Sequence, residues 1–235
     1  LLTTIKQPII MKKIQYPKQG NLLFASLFLL FSIAAIGQNK MEPMELYAEA
    51  AQLEVPGATM VKLNSQSTVP SLVMFEEDAQ MSLSQFLPWL KSTYKLPSNY
   101  EFVLRKETEG NIGTSHLKYI VTYKGVLMDL NWLTVHVKNN RVYQFNGNVQ
   151  VLSSISTEPK LSEAAALQQA LTKVNAKAYL WQNAHEEELL KARKKDPNAS
   201  YYPTGKLVII ATEKDKFELA WHFEITAENM IQCSN

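Results

Sequence analysis

An α+β fold made of two small modules, each a helix packed on an antiparallel sheet, is what the sequence predicts, and three observations predict it. From His116 to Gly147 apolar and polar residues alternate through three runs, HLKYIVTY, WLTVHVK and RVYQFNG. Two turn-forming pairs, Lys124-Gly125 and Asn139-Asn140, separate the runs, which is the pattern of a half-buried antiparallel meander. Helix signals followed by strand runs then occur twice along the chain, once on each side of a Ser/Thr/Pro-containing stretch.

In order, residues 11–37 read as a secretory signal: Met11, Lys12 and Lys13, the apolar run Leu22 to Ile36, and small residues at Ala35 and Gly37 before Gln38. The run is nearer 15 residues than the ~20 a membrane span needs, so no stable membrane anchor is expected. No cysteine stands directly after it, which argues against a lipoprotein anchor, and residues 1–10 precede the start expected at Met11. Residues 38–74 read as an N-terminal extension: helix-formers end at Val55-Pro56-Gly57, and SLVMF up to Phe75 is extended. A helix is predicted from near Ser82, with Leu83, Phe86, Leu87 and Leu90 on one stripe. Pro88 should kink or shorten it, and Trp89 reads as core filler. YEFVLR, Tyr100 to Arg105, is a strand, and a turn at Glu109 to Gly113 leads into the meander.

The first module is placed at 75–152, with the boundary between 152 and 160. The second, 160–228, opens on a helix with Ser162 as N-cap and Glu163 in its first turn, and an apolar stripe at Ala164, Leu167, Leu171 and Val174. A charged helix from His185 pairs Glu187 with Lys191 at i, i+4 and stops at Asp196-Pro197-Asn198. KLVIIAT from Lys206 and FELAWHFEIT from Phe217 are the closing strands.

Composition narrows the function. The formal charge is +2, but Lys6, Lys12, Lys13 and Lys18 lie in the first 37 residues; beyond them 20 basic residues face 22 acidic ones. With only Lys191, Arg193, Lys194 and Lys195 clustered, behind three glutamates, no nucleic-acid partner is expected. The single Cys233 makes no internal disulfide. His185-Glu186-Glu187-Glu188-Leu189 lacks the second histidine of a zinc-peptidase helix. His116, His136 and His222 lie in alternating strands. A metal or substrate site at His116 and His136 would need them to face each other and to find a third ligand; the nearest acid in sequence is Asp129. They read as packed strand histidines. There is no G-x-S-x-G elbow and no Gly-rich phosphate loop. Catalytic, metal and cofactor residues are all expected to be none.

The order of residues in the meander carries a resemblance: His116-x-Lys118-Tyr119, Tyr123-Lys124-Gly125-Val126, Val135-His136-Val137, Arg141-Val142 and Asn146-Gly147. This run resembles the fungalysin/thermolysin propeptide domain. Pro159 to Ala165 and Phe217 to Ile225 are similar to the start and the "L-A-W" strand of a PepSY domain, which follows it in such precursors. Lys118, Val121 and Leu127-Met128 depart from the usual Arg, Gln and Pro-Val. The resemblance marks His116, Tyr119, Tyr123, Gly125, His136, Gly147 and Trp221 as structural signature residues. It implies a propeptide that chaperones and inhibits a secreted thermolysin-like zinc metalloendopeptidase, its partner being the cognate peptidase domain. The chain stops at MIQCSN, before the HExxH domain to which zinc and calcium would belong, so no enzyme activity is expected on this chain. The location implied is secreted or periplasmic, in a bacterium. The rival is a stand-alone secreted or periplasmic PepSY-type inhibitor acting in trans, and a third reading keeps residues 22–36 as a tether.

Overall fold

The computed structural model describes residues 9–10, 44–111, 113–152, 154–213 and 216–228. The signal segment 11–37 and Cys233 lie outside the described residues. The fold is α+β with a dominantly antiparallel sheet. Its strands are β1 (Ile9–Ile10), β2 (Met44–Tyr47), β3 (Ala58–Leu63), β4 (Leu72–Phe75), β5 (Met81–Ser82), β6 (Tyr100–Glu109), β7 (Thr114–Tyr123), β8 (Val126–Lys138), β9 (Arg141–Asn148), β10 (Lys206–Glu213) and β11 (Lys216–His222). Its helices are α1 (Ala48–Glu54), α2 (Leu83–Thr93), α3 (Glu163–Val174) and α4 (Ala184–Lys194).

The meander is β7-β8-β9. Its turns are the two pairs picked out above: Lys124 and Gly125 have φ of 49° and 78°, Asn139 and Asn140 of 50° and 63°. Two successive left-handed residues match the twist of tight hairpins. β6 runs four residues past Arg105 along β7, and β8 begins at Val126, so the run VLMD belongs to the strand. In the stretch 38–74, expected as an extension ahead of the first module, the described residues from Met44 on supply β2, β3 and most of β4, which continue the sheet antiparallel beyond β9. β2 and β3 are too short to show a period in sequence. Ala51, Val55, Ala58, Val61 and Val73 share one core with the meander.

That core lies between the sheet and α2. Phe86 and Leu90 are fully buried, and Phe86 meets Phe145 at 5.3 Å between ring centroids while Trp89 meets Phe75 edge-on at 5.6 Å. Burying such rings, each worth about 2–3 kcal/mol, is the main force holding the helix to the sheet. Gln85 Oε1 accepts the Ser82 backbone N–H at 3.1 Å, satisfying a donor at the helix start. The helix runs through Pro88 to Thr93, so the proline does not shorten it; the buried aromatic face outweighs one lost hydrogen bond.

β8 is irregular. Between the pairs Ile120↔Trp132 and Thr122↔Leu127, β7 advances two residues and β8 five. Leu130, at φ 60°, sits in this bulge. Asn131, almost fully buried, holds it: its Oδ1 accepts Gln150 N–H at 2.7 Å and its Nδ2 donates to Asp129 O at 3.2 Å, while Asn148 Nδ2 donates to Leu130 O at 2.8 Å. Ahead of the bulge, Leu127 and Met128 pair in parallel with Val208 and Ile209 of β10, so the β10-β11 hairpin continues the same sheet. β1 pairs in parallel with β11 at Trp221 and His222.

In the second half Ser162 caps α3, its Oγ accepting Ala165 N–H at 3.3 Å. The buried positions are Ala166, Leu167 and Ala170, whereas Ala164 is exposed. The face is rotated from the predicted stripe because Trp221 and Phe223 supply the bulk and need small residues opposite. On α4 Lys191 pairs with Glu188 at 2.8 Å, not with Glu187, whose Oε1 accepts Tyr201 N–H. A half-exposed lysine takes whichever acid is uncommitted.

Two substitutions test this packing. A Cβ on Gly147 would lie 2.5 Å from Trp132 O, so Gly147→Ala is expected to cost about 1–3 kcal/mol in urea unfolding with an unchanged m-value. Tyr94 has a buried hydroxyl with no hydrogen-bond partner and a phenol pushed up by burial, so Tyr94→Phe is expected to be neutral or stabilising by up to about 1 kcal/mol in the same assay.

Candidate functional site: the open face of the sheet

Because side chains alternate along each strand, the face opposite α2 is set by the register. One row across it reads Thr108, His116, His136, Gln144, Met74, Met60 and Tyr47, from β6 to β2. The next reads Lys106, Lys118, Thr134, Asn146, Leu72, Lys62 and Glu45, and a third Val103, Ile120, Trp132 and Asn148. Trp132 is 41% exposed and Val103 39%, and Met74 and Tyr47 are also exposed. A tryptophan left so accessible beside Val103 and Ile120 is apolar area of the kind that marks an interaction surface. An open groove of ≈ 410 Å³ beside it is lined by Arg105, Lys106, Lys118, Ile120, Trp132 and Thr134.

At the centre of the face His116 and His136 do face each other, Nδ1 to Nδ1 at 2.6 Å, and His136 Nε2 contacts Asn146 Oδ1 at 2.7 Å. Burial of the His136 ring lowers its pKa; the Asn146 hydrogen bond opposes this and the His116 ring adds to it. Asp129 lies at the bulge, seven positions along β8 from His136, and among the described residues no three His, Cys, Asp or Glu side chains are grouped to hold a metal. The pair can exchange protons and present hydrogen bonds, and Asn146, named in the sequence only as part of a run, is its third member.

The other signature residues are structural in placement. Tyr119 and Tyr123 are buried on the inner face, and Tyr123 packs edge-on against Tyr100 at 5.4 Å. Gly125 makes a turn, and Gly147 lets β9 approach β8 closely. Trp221, away from the face, donates from Nε1 to Leu161 O at 2.8 Å, tying β11 to the start of α3. His222 lines a separate hollow of ≈ 310 Å³ with Arg193, Lys194, Tyr201 and Lys206. His185 stands in the first turn of α4, where its backbone N–H is capped by Asn183. Sequence reasoning missed Trp132 and Val103 as exposed; only the register, with its bulge, assigns them to the outer face.

β6 to β9 therefore define an antiparallel module with one face packed on the core and the other open. Residues 100–149 match the Fungalysin/Thermolysin Propeptide Motif. The match starts at Tyr100, at the head of β6, and ends at Val149, just past β9, so it covers this module. It implies a non-catalytic region of a peptidase precursor. No curated protein matches the chain. Among the described residues no helix is long and apolar enough to cross a membrane.

His136 makes folding stability depend on pH. A His136 pKa below its free value favours the neutral ring in the folded state. Its contribution is therefore complete above about pH 6.5 and is lost as pH falls from there through the folded pKa. Thermal unfolding from about pH 8 to about pH 5 is expected to show a falling midpoint, and His136→Gln is expected to flatten that component.

Proposed function

We infer that this chain acts as the pro-region of a secreted thermolysin- or fungalysin-type zinc metalloendopeptidase, assisting its folding and holding it inactive. The observation that carries the reading is that the propeptide motif covers β6 to β9, the strands that carry Trp132, Val103 and the histidine pair on an exposed face. The physical logic is mass action: a pro-region that binds the native peptidase and not the unfolded chain stabilises it, and one seated over the cleft excludes substrate. The second half is read as a PepSY-like domain. In support, its two similar stretches, Pro159 to Ala165 and Phe217 to Ile225, are joined by the Trp221 to Leu161 hydrogen bond. Export through residues 11–37 and a secreted or periplasmic location belong to the same reading. Zinc and calcium belong to the peptidase domain, not to this chain.

Refolding tests the reading. Purified chain added in stoichiometric amount to denatured thermolysin-type peptidase is expected to raise the recovered yield and to slow casein cleavage by the folded enzyme. The chain alone is expected to show no EDTA-sensitive casein cleavage. No effect on either yield or cleavage overturns the reading. Inhibition without any gain in yield favours a stand-alone inhibitor acting in trans. Trp132→Ala is expected to weaken inhibition about tenfold, about 1.4 kcal/mol, while moving the unfolding midpoint only slightly, because the side chain is exposed.

A further inference from the structure

The His116 and His136 rings meet edge to face, with centroids 4.8 Å apart and planes at 74°. A 2.6 Å contact between two Nδ1 atoms requires a single proton between them: one nitrogen donates and the other accepts. Asn146 decides which. Its Oδ1, 2.7 Å from His136 Nε2, can only accept, so His136 carries its proton on Nε2 and leaves Nδ1 bare. His116 is then the donor through Nδ1–H. Its Nε2 stays bare beside Gly110, where an added Cβ would come within 3.1 Å of that nitrogen.

This arrangement treats two successive protons differently. A proton added at His116 Nε2 leaves both hydrogen bonds intact. The second can go only to His136 Nδ1, which sets two N–H groups and two cations against each other. We propose that the pair is an acid-operated latch at the centre of the open face, closed with no proton or one added and forced apart by the second.

The surroundings set its working range. On β6 and β7 the neighbours toward the groove are Arg105, Lys106 and Lys118, and on the turn side Lys138 of β8 pairs with Thr114 and Arg141. These cations resist the second proton. Tyr143 of β9 lies 6.0 Å from the His136 ring and shares a hollow of ≈ 940 Å³ with Lys138, Arg141 and the carboxylates Glu77 and Asp78, which moderate that field. Burial of His136 acts in the same direction as the cations. Opening the latch separates side chains on two adjacent strands, β7 and β8, and adds positive charge to the face. If a peptidase domain sits there, which rests on the pro-region reading, acidification loosens its seat.

Nitrogen-15 NMR of the imidazoles in the purified chain tests the latch. At about pH 8 the expected tautomers are Nδ1–H for His116 and Nε2–H for His136, with two separate titration steps on acidification, the second below the ordinary histidine range of about 6.5. Asn146→Asp, nearly the same in shape, places a carboxylate on His136 Nε2–H and is expected to raise the lower step by about one pH unit or more. Both rings in the Nε2–H form, titrating independently near the ordinary value and unmoved by Asn146→Asp, would overturn the proposal. A parallel arm measures binding of the chain to immobilised thermolysin-type peptidase at about pH 8 and about pH 5. The expected loss at the lower pH is tenfold or more, with Asn146→Asp losing affinity at a higher pH than the parent. The expected NMR titration together with no binding at either pH would sink the pro-region reading and leave the latch standing.

Discussion

β8 hydrogen-bonds to three strands, and it can do so because its backbone leaves the β7 register between Leu127 and Trp132. One edge of the strand is given to β7 on both sides of the bulge. Along the other, Trp132–Lys138 takes β9, and Leu127–Met128, re-aimed by the bulge, takes β10. Bulges bend a strand and increase its local twist, and they persist where side chains satisfy the backbone they strand. Here Asn131 and Asn148 do so, serving Gln150 N–H and the carbonyls of Asp129 and Leu130. An apolar residue at position 131 would leave a buried amide unmet, at about 1–3 kcal/mol. The second half of the chain is joined to the first through this bend.

The bend also divides the two faces of the sheet. Against α2 and α1 the inner face is dry and aromatic, and its cost of ordering is met by area buried around Phe86, Phe145 and Tyr100. The outer face has no comparable need to exclude water, which leaves it able to carry polar groups and an exposed tryptophan without loss of the fold. Stability and, on the pro-region reading, recognition are thereby placed on opposite sides of one set of strands. A partner can seat on the face without competing with the core, and a substitution there can change binding while the inner face is undisturbed.

Much of this was legible in the sequence, for reasons particular residues make plain. Alternation from His116 to Gly147 and the Lys-Gly and Asn-Asn turns specified three strands, because a period of two and a left-handed pair leave little choice. Ser162 marked its helix start through a capping bond that depends on local residues alone. What the sequence hid was decided over longer distances. β2 and β3 are too short to show a period and exist because β4 offers an edge. The face of α3 was turned by Trp221 and Phe223, some fifty residues away in the chain. Lys191 chose Glu188 because Glu187 was already engaged by Tyr201, a contact no i, i+4 rule contains. For the site, the alternation placed His116 and His136 in strands, but whether they met depended on a register set partly by the β8 bulge. Asn146 became their partner only through the pairing of β9.

A polar pair of this kind is not what stability alone would select. His116 and His136 occupy the middle of a sheet row, where β-branched or aromatic residues opposite one another strengthen a strand pair by about 0.2–1 kcal/mol each. Two half-buried imidazoles instead give up solvation, and their bridge holds only while one nitrogen stays bare. Asn146 fixes which nitrogen that is. Three side chains from three strands, each specified in its hydrogen-bonding role by the next, make an arrangement more exacting than strand pairing requires. Its position on the same face as Trp132, rather than beneath α2, puts that exactness where a partner would meet it. On the inner face the same pair would be a defect in the core; on the outer face it gives the sheet a property that changes with proton concentration.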